Sequence, residues 1–200
     1  EEPVDLIFYL HGLGGFKKRD FKDRVLRHTR YIWGEKNYVI VIPEMPWSRN
    51  TSTRRSRQGR VFTKKGQFAT FVESVLQVVS AHYSPACGDS CPAHNRFYEP
   101  PAATHASKLK IGNVAFLGHS AGGSAIMSIS RSGGLDWLYK ESRGESFKII
   151  FSDASYGHWL DTTWKYFKSD KAGARTEFII LTRKGDKPHK NALRFLRKYT

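Results

Sequence analysis

The sequence predicts an α/β domain with a central, mostly parallel sheet of five to six strands and helices on both faces. Short apolar runs rich in β-branched residues alternate along the chain with segments whose apolar residues have helical spacing, which is the pattern of a doubly wound sheet. The strand-like runs are apolar at successive positions, as expected of strands covered on both faces. A length of 200 residues with 40% hydrophobic residues suits one domain, residues 1–200, and no repeat or linker marks a second one.

The first half of the chain contains two predicted strands and two predicted helices. Val4–Leu10, which reads VDLIFYL, is the first strand, and it ends in the glycine-rich sequence HGLGG. Apolar residues at helical spacing predict a helix over Phe21–Trp33, and Tyr38–Ile42 (YVIVI) is the second strand. Gly66–Tyr83 is the clearest amphipathic helix, because its apolar residues recur three and four positions apart.

The second half contains three more predicted strands, each followed by a helical pattern. The strands are Val114–Leu117, Lys148–Ser152 and Glu177–Leu181. The helical segments are Ser124–Arg131, the aromatic stretch from Trp159 to Phe167, and a last helix carrying Ala192, Phe195, Leu196 and Tyr199. Repeated strand–helix units of this kind predict a parallel sheet.

Two irregular inserts interrupt this pattern, at about residues 44–66 and 84–110. The first carries the densest basic cluster of the chain, and Trp47, Val61 and Phe62 flank or interrupt it. This basic cluster consists of Arg49, Arg54, Arg55, Arg57, Arg60, Lys64 and Lys65. Arginines hold phosphates or carboxylates in a bidentate fashion, so the cluster is expected to contact an anionic surface or polymer; the alternative is a solvated, partly disordered loop. The second insert directly precedes the strand at Val114, which makes it a candidate lid.

The charge balance indicates a polyanionic partner. Lys and Arg total 33 against 18 for Asp and Glu, a formal net charge of +15 at pH 7. Such a balance favours association with an anionic envelope or an acidic polysaccharide. Nucleic acid is the less expected partner, and solubility alone is the alternative explanation. No apolar run approaches the roughly 18 to 20 residues that a membrane span needs.

Cys87 and Cys91 lie four residues apart in the second insert. A small disulfide ring there would fit an oxidising compartment, so a secreted or periplasmic location is expected, with a cytoplasmic one left open. The alternatives are free thiols or a zinc site completed by His82, His94 or His105, although the spacing matches no zinc pattern. The chain begins Glu-Glu-Pro, which fits either a removed leader or a trimmed chain.

The stretch Asn113–Gly123, NVAFLGHSAGG, contains the motif G-x-S-x-G between a predicted strand and a predicted helix. In that arrangement, a nucleophile elbow, the turn is so tight that side chains two residues before and after the serine would clash. Gly118 and Gly122 remove the clash, and Ser120 can adopt a strained conformation with its Oγ exposed at the end of the strand. The following helix directs its positive N-terminus toward any anion formed there.

The chain resembles an α/β-hydrolase of minimal, cutinase-like size. The resemblance rests on the elbow, on the HGLGG sequence after the first strand, and on the acid and histidine after later strands. The resemblance covers nearly the whole chain and implies that the second strand flanks the first, followed by the third, fourth and fifth. It also implies a triad in the chain order serine, acid, histidine. Ser120 is then the nucleophile, and it needs a base within hydrogen-bond reach.

The base and the acid of this triad come from residues that follow the serine. His189 follows the last strand, where the family places its histidine, whereas His158 follows the fourth strand. Asp153 stands at the carboxyl end of the fourth strand and is the preferred acid. Asp186 lies only three residues from His189 and has a structural role available as a helix cap, and Asp161 is a further alternative.

The oxyanion hole is expected to combine two backbone N–H groups. One belongs to Ala121, directly after the nucleophile, and the resemblance assigns the other to Leu13 in the HGLGG loop. His11, Gly12 and His119 are expected at the substrate-binding rim, where they support the elbow and the loop. The resemblance implies neither a metal nor a cofactor.

The predicted function is that of a serine hydrolase that cleaves a carboxylic ester through a Ser-His-Asp triad and an acyl-enzyme. The basic charge favours an anionic or envelope-associated substrate, and the step from fold to ester is one of analogy. One alternative is an amidase or peptidase of the same fold that acts on peptide or cell-wall amides. The other is a non-catalytic module that binds polyanions through the basic cluster.

Overall fold

A computed structural model describes residues 3–12, 25, 38–45, 61–82, 109–167 and 175–199. Within these ranges lie five strands: β1 (Val4–Leu10), β2 (Val39–Val41), β3 (Ile111–His119), β4 (Phe147–Ser152) and β5 (Thr176–Leu181). The same ranges contain five helices: α1 (Gln67–His82), α2 (Gly122–Arg131), α3 (Gly134–Glu141), α4 (Trp159–Tyr166) and α5 (Lys187–Tyr199). Each strand predicted from the sequence is present, with its bounds shifted by a few residues at most.

The five strands pair in parallel, in the order β2-β1-β3-β4-β5. This order confirms the prediction that the second strand flanks the first. β3 lies between β1 and β4, with Phe116 opposite Phe8 on one side and Ile149 on the other. Since all strands run in the same direction, the carboxyl ends of β1, β3, β4 and β5 meet at one edge of the sheet.

Alternate side chains of the strands form two buried layers. One face carries Leu6 and Phe8, and core residues from α1 to α5 pack against it. The other face carries Ile7 and Ala115, and the fully buried Val25 packs there. Val25 falls within the predicted helix at residues 21–33, whose other residues lie outside the described ranges. The α/β class with a parallel sheet is therefore established, and helical coverage of the second face stays a prediction.

The direction in which strands are added reverses at β1. The chain passes from β1 outward to β2 and then returns across β1 to β3, β4 and β5. Open α/β sheets bind ligands at the carboxyl ends of the strands on either side of such a switch point. In this sheet that position lies between the ends of β1 and β3, which are followed directly by His11 and Ser120.

One helix, α3, was not predicted from the sequence pattern. Gly133 adopts a left-handed conformation with a φ of 82°, and α3 begins at the next residue. Leu135 and Leu138 of this helix are fully buried in the core. The helix has only eight residues, and a segment that short gives little periodic signal.

Most of the two predicted inserts lies outside the described residues. At the end of the first insert, Val61 and Phe62 are buried, and the ring centroid of Phe62 lies 5.2 Å from that of Phe68 and 5.3 Å from that of Phe71. These two residues therefore belong to the core. The arginines of the basic cluster fall in residues 46–60. Both cysteines and all but the last two residues of the candidate lid fall in residues 83–108, so the predictions about them remain predictions. None of the helices that the structure describes is both long and apolar enough to span a membrane.

Candidate active site

The turn between β3 and α2 has the conformation that the G-x-S-x-G spacing predicts. Ser120 has a φ of 51°, in the left-handed region that serine seldom adopts. Its N–H donates to the carbonyl of Ser152 on β4 (3.0 Å), and its own carbonyl accepts from the N–H of Gly123 (3.2 Å). The strained serine is therefore held by the sheet on one side and by the helix on the other.

Two glycines let α2 approach the sheet closely at this turn. A Cβ on Gly122 would lie 1.8 Å from the carbonyl oxygen of Leu10 in β1. A Cβ on Gly118 would lie 3.0 Å from the backbone of both Gly122 and Gly123. The carbonyl of Leu10 and the backbone atoms of Gly122 and Gly123 belong to the main chain, so side-chain rotation cannot relieve these contacts. The packing of α2 on the sheet thus explains why both motif positions need glycine.

The N-terminus of α2 provides a position for a negative charge. Ala121 directly follows Ser120, is buried, and has helical angles, with φ −59° and ψ −20°. The first N–H groups of a helix have no acceptor within the helix and carry the positive end of its dipole. The Ala121 N–H is therefore chemically suited to a developing oxyanion. Leu13, the predicted second donor, lies outside the described residues.

His189, the predicted base, lies in the first turn of α5 and is half-buried. Its Nδ1 is 3.1 Å from Oγ1 of Thr182, the residue directly after β5. If Nδ1 carries the proton and donates to Thr182, Nε2 keeps its lone pair and the ring can act as a base. Sequence reasoning missed Thr182, although its position between the last strand and the predicted histidine was a usable signal.

Asp153, the predicted acid, directly follows β4 and has a φ of 46°. Its N–H donates to the carbonyl of Leu181 (2.8 Å), and its Oδ1 accepts a hydrogen bond from the N–H of Arg183 (3.1 Å). Asp153 therefore braces the start of the loop after β5. Within the described part of the chain, no side-chain hydrogen bond joins Asp153 or Ser120 to His189. The role of Asp153 as the acid of a triad remains a prediction.

The alternative base and acids have other surroundings. His158 is exposed directly before α4. Asp161 pairs with Lys198 of α5, with 3.0 Å between Oδ1 and Nζ. Asp186 is exposed, and its carbonyl accepts from the N–H of Lys190 (3.1 Å), as expected of a residue that starts a helix. Across the described ranges, no group of three or more His, Cys, Asp or Glu side chains is arranged to hold a metal ion.

His11 braces the loop after β1. It is 3% exposed, its Nε2 accepts from the N–H of Met45 (3.1 Å), and its Nδ1 lies 2.9 Å from the carbonyl oxygen of Gly12. An amide N–H can only donate, so Nε2 is unprotonated and Nδ1 carries the proton. Both ring nitrogens are used within the protein, and the placement of His11 at the substrate-binding rim remains a prediction. Gly12 itself abuts the elbow, since a Cβ there would lie 3.0 Å from Cβ of Ser120 and 3.3 Å from Nδ1 of His119.

Comparisons with protein-family models, with curated proteins and with solved structures give no match. A functional assignment therefore depends on the elbow and its neighbours. The described parts that could act together are a strained serine at the switch point, a helix N-terminus behind it, and a histidine whose Nδ1 is held by a hydroxyl.

Proposed function

We propose that the protein is a serine hydrolase in which Ser120 attacks a carboxylic ester and forms an acyl-enzyme. The observation that carries the proposal is the left-handed conformation of Ser120 at the topological switch point. Such a conformation costs on the order of 1 to 3 kcal/mol and persists where the surrounding structure over-determines it, as it does at active sites. The close contact between α2 and β1 explains how the fold supports that cost at this turn.

In the proposed reaction, His189 takes the proton from Oγ of Ser120 through Nε2 as Oγ bonds to the ester carbonyl carbon. Nδ1–H donates to Thr182, so the ring keeps the tautomer that a base requires. The oxyanion of the tetrahedral intermediate accepts the N–H of Ala121; loss of one such donor typically costs about 3 to 4 kcal/mol of transition-state stabilisation. Asp153, which directly follows β4, is the proposed acid of the triad.

The intermediate then collapses and expels the alcohol, which receives the proton from His189. Water attacks the acyl-enzyme in the same way and releases the carboxylic acid and the free serine. The same residues can hydrolyse an amide, and a panel of ester and amide substrates separates the two. The α/β-hydrolase fold is the finer assignment that we propose for the sheet, supported by its strand order and by the turn after the third strand.

A fluorophosphonate probe tests the nucleophile directly, because it phosphonylates only activated serines. Wild-type protein should be labelled and Ser120→Ala should not. Ser74→Ala is a matched control, since Ser74 is an exposed serine on α1 whose Oγ donates to the carbonyl of Thr70. Labelling of Ser120→Ala at the wild-type rate, or a wild-type protein that is never labelled, would overturn the proposal.

A further inference from the structure

Helix α5 presents a cationic stripe to the solvent. Residues 183–199 contain seven basic residues and one acidic residue, Asp186. Four of the basic residues share one side of α5, because they are spaced three, four and three positions apart. They are Lys187, Lys190, Arg194 and Arg197, and all four are exposed.

Two leucines extend this stripe on one side. Leu193 and Leu196 are each 41% exposed. Leu193 lies three residues after Lys190 and four before Arg197, so these side chains are neighbours on the helix surface. We call Lys187, Lys190, Leu193, Arg194, Leu196 and Arg197 the α5 face.

The apolar side that anchors α5 to the domain is separate from the α5 face. Pro188, Ala192 and Phe195 are buried, and the ring of Phe195 stacks on that of Phe178 in β5 with 5.7 Å between centroids. The helix therefore does not depend on an external partner for its packing. The stripe from Lys187 to Arg197 is about 15 Å long and lies on a rigid element.

We propose that the α5 face binds the surface of an anionic lipid bilayer. Clustered Lys and Arg side chains are attracted to the negative surface potential of anionic lipids. Leucines beside them gain free energy when they enter the boundary between headgroups and acyl chains. A nucleic acid or polysaccharide would interact favourably with the charges but not with the leucines. The combination therefore favours lipid over a soluble polyanion.

The charges on the α5 face have few partners among the residues that the structure describes. Arg194 donates through Nη2 to the carbonyl of Gly157 at 3.3 Å, and the neighbouring Lys198 is paired with Asp161. No ion pair within the described ranges involves Lys187, Lys190 or Arg197. These three side chains are therefore the ones to neutralise in a test that leaves the fold intact.

The proposal is independent of the chemistry proposed for Ser120. Binding of the α5 face to lipid needs neither a nucleophile nor a base, and Ser120→Ala should bind vesicles like the wild type. His189 lies in the first turn of the same helix, so lipid binding would bring the candidate site to the bilayer surface.

Co-sedimentation with sucrose-loaded vesicles provides the test. Vesicles contain either phosphatidylcholine alone or equal parts of phosphatidylcholine and phosphatidylglycerol. Wild-type protein should bind the mixed vesicles and leave the neutral ones unbound. The triple variant Lys187→Gln, Lys190→Gln and Arg197→Gln should lose on the order of a hundred-fold in partitioning, since each cation near the surface contributes a factor of about five.

The matched control removes the same net charge elsewhere. Arg131→Gln, Lys140→Gln and Arg143→Gln neutralise three exposed cations at the ends of α2 and α3, and this variant should keep its vesicle binding. If the control loses as much binding as the α5 variant, total charge alone explains the attraction and the proposal fails. Circular dichroism confirms that both variants are folded.

The leucines separate lipid from a soluble polyanion. Leu193→Ser with Leu196→Ser should weaken binding to the mixed vesicles and leave binding to heparin unchanged. Equal binding of this variant and the wild type to vesicles would identify the α5 face as a general polyanion site and overturn the lipid assignment. Failure of the wild type to prefer mixed vesicles over neutral ones would overturn the proposal altogether.

Discussion

The hydrogen bond between Thr182 and His189 can be removed without changing the size of the side chain. Thr182→Val replaces the hydroxyl by a methyl group and leaves Nδ1 without its 3.1 Å partner. In the proposed transition state the ring is an imidazolium, and a hydrogen bond from a charged donor contributes about 1.5 to 3 kcal/mol. The rate of serine attack should therefore fall about 10- to 150-fold.

The second-order rate constant for fluorophosphonate labelling measures this effect without knowledge of the natural substrate. Thr182→Ser keeps the hydroxyl and should restore most of the rate. Thermal unfolding shows whether the valine variant is simply less stable, since the loss of a neutral hydrogen bond accounts for only about 1 kcal/mol. A valine variant that is labelled at the wild-type rate would refute the positioning role of Thr182.

Asp153→Asn tests whether the carboxylate of Asp153 contributes less than the hydroxyl of Thr182 to the rate of serine attack. Asparagine keeps an Oδ1 that can accept from the N–H of Arg183, so the loop after β5 should remain in place. Since the carboxylate makes no hydrogen bond to His189 in the structure, we expect a smaller loss than for Thr182→Val. A loss near 10⁴-fold, the size seen when a triad acid in direct contact with histidine is replaced by its amide, would contradict this reasoning.

Two further predictions concern stability. Gly122→Ala places a Cβ 1.8 Å from a carbonyl oxygen of β1 and should lower the free energy of unfolding by roughly 3 kcal/mol or more. Gly133→Ala meets no atom within 4 Å and should cost only the strain of a left-handed alanine, about 1 to 2 kcal/mol; equal losses in urea unfolding would contradict the packing argument. Hydrogen bonds to Tyr199 and Asp161 raise the pKa of Lys198 above its ordinary 10.5. A pKa that is higher in the folded than in the unfolded protein adds to the free energy of unfolding. This contribution is complete at pH values below the ordinary pKa and is lost as the pH rises through the folded pKa. The stability difference between wild type and Lys198→Met should therefore be constant from about pH 6 to 9 and shrink only in more alkaline solution, and a difference that shrinks near neutral pH would disprove the assignment.

The strands and the turn at Ser120 were predictable because both leave local patterns. Runs such as VDLIFYL are apolar at successive positions, and a strand covered on both faces requires that composition. The G-x-S-x-G spacing reflects a clash within five consecutive residues, so it can be read without the rest of the fold. The strand order followed from the resemblance to the α/β-hydrolases.

Contacts between distant segments could not be predicted in this way. The end of α3 illustrates the point: Arg175 donates to the carbonyls of Ser142 and Gly144, the former 33 residues away, and its guanidinium lies 3.9 Å from the ring centroid of Tyr139. Nothing near residues 134–141 reveals that these carbonyls receive a donor from the start of β5. The burial of Val61 and Phe62 could not be predicted for a similar reason. Their positions in the core depend on how α1 packs on the sheet.

The sequence by itself determined that a serine stands at a tight turn between a strand and a helix, in a parallel α/β sheet. The tertiary structure alone decided which strand ends lie beside that serine and which partners Asp153 and His189 have. The parallel register sets Ser120 beside the end of β4 and Asp153 beside the end of β5, and the packing of α5 brings His189 to Thr182 rather than to a carboxylate. A hydrogen-bond partner depends on the relative placement of several elements to within a fraction of an ångström, and no pattern along one segment records that placement.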